Sequence, residues 1–100
     1  MRDVAPASTP QRYRSTPIFD EESLPAALRR EHRTKPGVWG VVRVHEGELK
    51  LSFVDPPKAL IVSPGWPGLL LPDQPHFVEP VGRVRMQVDF YDRPPVLEDR

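Results

Sequence analysis

Val38-Trp39-Gly40-Val41-Val42-Arg43-Val44-His45-Glu46-Gly47-Glu48-Leu49-Lys50-Leu51-Ser52-Phe53 is the stretch that decides the fold. Its first half is rich in branched and aromatic side chains, which suit a pleated, half-buried strand. Leu49, Leu51 and Phe53 then alternate with Lys50 and Ser52, the period of a strand with one buried face. Between the halves, Glu46-Gly47 supplies a turn, because glycine tolerates positive φ. A hairpin folded there sets Val44 opposite Leu49, Val42 opposite Leu51 and Gly40 opposite Phe53, with one face apolar throughout.

The flanking sequence continues the β pattern. Asp55-Pro56-Pro57 breaks the chain, and Ala59-Leu60-Ile61-Val62 follows as a short buried strand. Ser63 to Gly68 is a tight connection, Leu69-Leu70-Leu71 a strand stopped by Pro72, and His76 to Glu79 a strand bounded by Pro75 and Pro80. The last strand is Arg83 to Tyr91, with Val84, Met86, Val88 and Phe90 on one face. Upstream, only Glu21 to Glu31 reads as helical, for one or two turns, with Ser23 as cap and Pro25 in the first turn. The chain holds 14 prolines, where average usage gives about 5, and prolines favour short strands joined by rigid turns. The expectation is an all-β sandwich or barrel over residues 15–93, with a flexible tail at 1–14 and another at 94–100.

Composition narrows the function. Lys+Arg and Asp+Glu both number 14, so there is no net charge. Nucleic acid and anionic membranes, which require excess positive charge, are not expected partners. The chain has no cysteine, which leaves histidine and carboxylate as possible metal ligands. No apolar run approaches the ~18 residues that span a bilayer, and the N-terminus lacks the apolar core of a signal peptide. A cytoplasmic location is the expectation. No phosphate-binding glycine loop or nucleophile elbow is present.

Two sets of residues carry a resemblance. Val44-His45-Glu46-Gly47-Glu48-Leu49 resembles the hairpin of cupins, and Pro64-Gly65 followed by Leu71-Pro72-Asp73-Gln74-Pro75-His76 resembles their second motif, which ends in a metal-binding histidine. Ser15-Thr16-Pro17-Ile18-Phe19, Leu24-Pro25-Ala26, Glu31 to Trp39, Pro75-His76-Phe77-Val78-Glu79 and Val88-Asp89-Phe90-Tyr91 resemble the TehB/YeaR-like domain family. That family is a small cupin-like group with tellurite-resistance and nitrate-response associations. The resemblance covers most of residues 15–93. It implies a cupin-like double-stranded β-helix, a jelly-roll sandwich, with a short N-terminal helical turn. The cupin pattern's paired histidines and glutamate before the hairpin are missing: only His32 lies there, and Trp39-Gly40 stands where the glutamate belongs.

What the resemblance implies for a site is a divalent transition metal held by His32, His76 and Asp89, with Glu79 as reserve ligand or as acceptor for a histidine N–H. Zinc is the first expectation and Fe, Ni or Mn the next, since imidazole suits all of these and a carboxylate broadens the range. Three protein ligands would leave an open position for a small-molecule or anionic ligand. Strand alternation opposes Asp89: with Val88 and Phe90 inward it points outward, unless a bulge re-aims it. His45 reads as an exposed turn residue, Trp39 and Trp66 as core or rim aromatics, and Tyr91 as a pocket wall. The leading reading is a metal-binding module of undetermined activity, tied to stress or tellurite resistance. The alternatives are a small metalloenzyme of the dioxygenase or isomerase type, and a metal-free protein-interaction module. A homodimer is expected, because a short chain gains buried surface by pairing.

Overall fold

A computed structural model describes residues 12–97. These form six antiparallel strands: β1 (Arg12–Ser15), β2 (Phe19–Asp20), β3 (Trp39–Val54), β4 (Pro57–Val62), β5 (Gly68–Leu70) and β6 (His76–Tyr91). β3 and β6, each 16 residues long, pair along their whole length. β1 and β2 line the outer edge of β6; β5 and β4 line the outer edge of β3, at Gly40–Val42 and Leu49–Val54.

The branched and alternating halves of the deciding stretch are therefore one strand, and the hairpin expected at Glu46-Gly47 does not form. Val44 faces Met86, Val42 faces Val88 and Gly40 faces Phe90; Leu51 faces Val78 and Phe53 faces His76. The same local chemistry serves a different end. His45 is an unpaired extra residue on β3, and Gly82-Arg83 are extra residues on β6 at the same level. Each bulge bends its strand. Gly47 has φ 81°, and a Cβ there would collide with the Arg83 carbonyl oxygen, so the bend admits only glycine. The bend also explains how β6 runs through Pro80, expected as a terminus: a proline is tolerated next to a bulge, where the ladder is interrupted.

Beyond the bend the sheet folds over on itself. One leaf holds the first part of β3, the second part of β6, β1, β2 and β5; the other holds the second part of β3, the first part of β6 and β4. A Cβ on Gly68 of the first leaf would lie 2.8 Å from Leu51 Cδ2 and 3.0 Å from Val62 Cγ2 of the second. The core between the leaves comprises Val42, Val44, Leu49, Leu51, Val62, Leu70, Val78, Val84, Met86 and Val88, with Leu24 closing one side.

The helical stretch expected over 21–31 is reduced to a 3₁₀ turn, Ala26–Arg29, with Pro25 at its N-cap and no side-chain cap. Ser23 is not that cap. Its Oγ accepts the Asp20 N–H at 2.8 Å, while Asp20 Oδ1 accepts the Glu22 and Ser23 N–H groups. These local bonds compete with a helix start. Residues 12–14, assigned to the tail by composition, belong to β1; the rest of that tail lies outside the described residues, as do residues 98–100 of the C-terminal one. Among the described residues no helix is long and apolar enough to cross a membrane.

Candidate functional site

His76 opens β6 and His32 lies in the segment between the 3₁₀ turn and β3. The two form an isolated antiparallel bridge: each N–H donates to the other's carbonyl oxygen at 2.9 Å. Thr34 extends the seam, donating to the Leu71 carbonyl at 3.3 Å and accepting the Asp73 N–H at 3.2 Å, and Arg33 pairs with Asp73 at 3.2 Å. The pairing brings the imidazoles edge to face, with ring centroids 4.2 Å apart. His76 is buried at 2% exposure.

Both rings are oriented in the same way. His32 Nδ1 lies 2.8 Å from the Arg30 carbonyl oxygen and His76 Nδ1 lies 2.8 Å from that of Gln74, two residues back in each case. A carbonyl oxygen only accepts, so each Nδ1 must carry a proton, and in its neutral form such a ring has its lone pair on Nε2. Neither Nε2 has a hydrogen-bond partner among the described residues. Burial holds the His76 pKa below its ordinary value, the Gln74 carbonyl partly offsets this, and the neighbouring His32 lowers it further. His76 is thus neutral at pH 7.

The two rings border a cavity of about 120 Å³ between the leaves. Its other walls are mostly apolar: Leu28, Val42, Leu70, Met86 and Val88 among them, with Thr16 and Thr34 as further polar groups. Thr16 is itself committed, its N–H donating to the Val88 carbonyl and its Oγ1 accepting the Val88 N–H.

Asp89 and Glu79 do not join the histidines. Asp89 is 3% exposed but lies on the opposite face of β6. Its Oδ1 accepts from Ser15 Oγ at 2.6 Å and Gln87 Nε2 at 3.1 Å, and its Oδ2 from Arg43 Nε at 2.8 Å. Strand alternation prevails there: the nearby irregularity adds a residue to β1, between Arg12 and Arg14, and none to β6, so the Asp89 side chain is not re-aimed. Glu79 follows inward-facing Val78 and is exposed, opposite Lys50. The three-ligand divalent centre of His32 and His76 with either carboxylate does not fit this geometry, and among the described residues no three His, Asp or Glu side chains converge.

His45 is exposed at the β3 bulge rather than at a hairpin tip, and its Nε2 donates to Gln87 Oε1 at 2.6 Å. Trp66 is 54% exposed, a rim residue, and Trp39 is half-buried. Tyr91 sits beside Arg43, Oη to Nη2 at 3.4 Å, away from the cavity. Met86, read only as a core residue, proves to line the cavity with the histidines. A signal for this existed: the β6 bulge adds two residues, which preserves parity, so His76, Val78, Val84, Met86 and Val88 all face inward.

No curated protein matches the chain. Among solved structures it is similar to a protein from E. coli (strain K12) at 22% identity, TM-score 0.78, covering 94% of this chain and 99% of that one. It is also similar to TehB from Haemophilus influenzae at 24% identity, TM-score 0.75, covering 85% of this chain but 32% of TehB. A further similarity, to FeII HppE, has 15% identity and TM-score 0.55 and covers 73% of this chain and 40% of that one. At these identities the likeness is one of fold. A model of the TehB-like domain matches residues 14–88, three-quarters of the sequence, and the chain belongs to the TehB-like domain family.

Proposed function

We propose that this domain is a cupin-like binding module whose ligand sits in the cavity between the leaves, held by the Nε2 lone pairs of His32 and His76. The observation that carries this reading is the matched pair of Nδ1 bonds to the Arg30 and Gln74 carbonyls. These bonds leave Nε2 as the electron-pair donor of each neutral ring, and both residues line one small, mostly apolar space. Such a site favours a ligand that takes electron pairs: an N–H or O–H donor on a compact apolar body, or a metal ion. An anion is less well suited, because the cavity offers acceptors where an anion needs donors, and Arg33 at its rim is already paired with Asp73. The volume is a little below that of an engineered cavity of about 150 Å³ that takes benzene, so an organic ligand must be small. In the stress or tellurite-resistance setting that the family resemblance implies, the module would sequester or sense such a ligand.

The test is long-range ¹H–¹⁵N spectroscopy of the histidine rings. Both His32 and His76 should show the Nδ1–H form at pH 7.5, and a screen of small neutral compounds and metal salts should shift both Nε2 resonances together. Rings protonated on Nε2, or a screen that moves neither, would remove the reading.

A further inference from the structure

The cavity contains a third kind of donor. Met86 is fully buried on β6, its side chain lines the same space as His32 and His76, and it is the single methionine among the described residues. The cavity-lining residues with a donor left over are therefore two imidazoles and one thioether, since the Thr16 and Thr34 hydroxyls are engaged in hydrogen bonds and no carboxylate or thiolate lines the space.

Charge then decides between ions. The cost of moving an ion from water into an apolar space grows with the square of its charge, and no anionic group lines this one to offset it. A divalent ion would carry both charges unneutralised by the lining, because the Arg33 guanidinium at the rim is paired with Asp73. A monovalent ion carries a quarter of that cost on the same scaling. Donor softness points the same way: a thioether suits Cu(I), whereas Zn sites are built from Cys, His and carboxylate ligands and Mn and Mg from oxygen. Two or three neutral N and S donors also satisfy a closed-shell monovalent ion, whereas Zn is almost always four-coordinate in structural sites.

We infer that the His32–His76–Met86 cavity is a site for a soft monovalent metal ion, Cu(I) or its air-stable counterpart Ag(I), in place of the divalent ion expected from the fold. This rests on the reading that the two histidines face a binding cavity, and it names the class of ligand. With Nδ1 given to a backbone carbonyl in each ring, the ion is bound through Nε2. The rings must swing apart from their 4.2 Å contact to admit the ion, while the Arg30 and Gln74 carbonyls stay on Nδ1 and keep Nε2 as the ligand atom.

The experiment is anaerobic titration of the full chain with Cu(I) against a chromophoric Cu(I) chelator, with parallel titrations of Ag(I), Zn(II) and Ni(II). Ring ¹⁵N spectra and melting curves are recorded on each sample. One Cu(I) per chain should bind, with Ag(I) shifting both Nε2 resonances and Zn(II) binding more weakly. His76→Phe should abolish the site. Met86→Leu, which conserves core volume, should weaken Cu(I) about tenfold, the size of one lost favourable contact, while leaving Zn(II) affinity and the Nδ1–H form unchanged. Zn(II) or Ni(II) binding as tightly as Cu(I), with the same dependence on His76, would overturn the inference and leave the histidine site standing. Equal Cu(I) affinity in wild type and Met86→Leu would overturn the assignment of the sulfur. Small neutral compounds shifting both rings while no ion binds would overturn the inference alone; an inert pair of rings would overturn both.

Discussion

β6 carries a buried polar cluster on each face, and the two are opposites. On the outer face, Asp89 has its carboxylate oxygens taken up by Ser15, Arg43 and Gln87, and Gln87 is held in turn by His45. On the inner face, His32 and His76 each spend one nitrogen on a backbone carbonyl and leave the other bare beside a cavity. A buried polar group with its partners supplied rigidifies the fold; one with a lone pair left over in an apolar space is held ready for something else. The sequence-level expectation grouped His32, His76 and Asp89 as one site. The structure separates them by role: the carboxylate fastens β1 and β3 to β6, and the imidazoles face the space between the leaves.

The comparison breaks if Asp89 proves dispensable. Asp89→Ala leaves Arg43 and Ser15 facing a gap in a largely buried network. It should cost about 3 kcal/mol of stability, below the top of the range for buried ion pairs because Arg43 is 31% exposed. Denaturant unfolding gives the number, and a loss under about 1 kcal/mol would mean that the cluster is decorative. The Nδ1–H form of both histidines should survive the change.

His76→Phe is the counterpart on the inner face. It removes one hydrogen bond to the Gln74 carbonyl and adds apolar surface, so stability should move by no more than about 1 kcal/mol. All ligand or ion binding should disappear. A variant as damaged as Asp89→Ala would show that the histidine pair is a structural clasp.

Acid sharpens the contrast further. Burial lowers the His76 pKa in the fold, so between its ordinary value of 6.5 and that lower value the unfolded chain binds more protons than the native one. Stability should therefore be constant above that range and fall as pH drops through 6.5. His76→Phe should flatten this slope. An unchanged slope in the variant would assign the proton uptake to another group.

The smallest effect belongs to the rim. Arg33 and Asp73 are each about half exposed, and Arg33→Ala should cost roughly 0.5 kcal/mol or less. A larger loss would mean that the seam over residues 32–34 depends on this ion pair more than on the backbone bridge.

How far the sequence told this depends on the range of the interaction. Short-range signals read correctly: the branched run before Val44, the alternation from Val84 to Phe90, and its corollary that Asp89 points away from Val88. Glu46-Gly47 was ambiguous in principle, because positive φ at Gly47 serves a tight turn or a bulge equally. Only pairing with residues some forty positions later selects the bulge. His32 was harder still. Its neighbours Arg29, Arg30, Glu31 and Arg33 read as a solvated run, and nothing local shows that its backbone bridges His76. The carbonyl contacts that fix both rings are invisible in composition or spacing.

The shared bend of β3 and β6 has a consequence for synthesis. Each leaf takes one part of β3 and the opposite part of β6, so neither can close from the first half of the chain alone. A nascent chain that has emerged only as far as β5 presents the apolar face of β3 with one edge unpaired. Native pairing waits until the stretch ending at Tyr91 has cleared the ribosome, and the domain then assembles as a single cooperative event dominated by distant contacts.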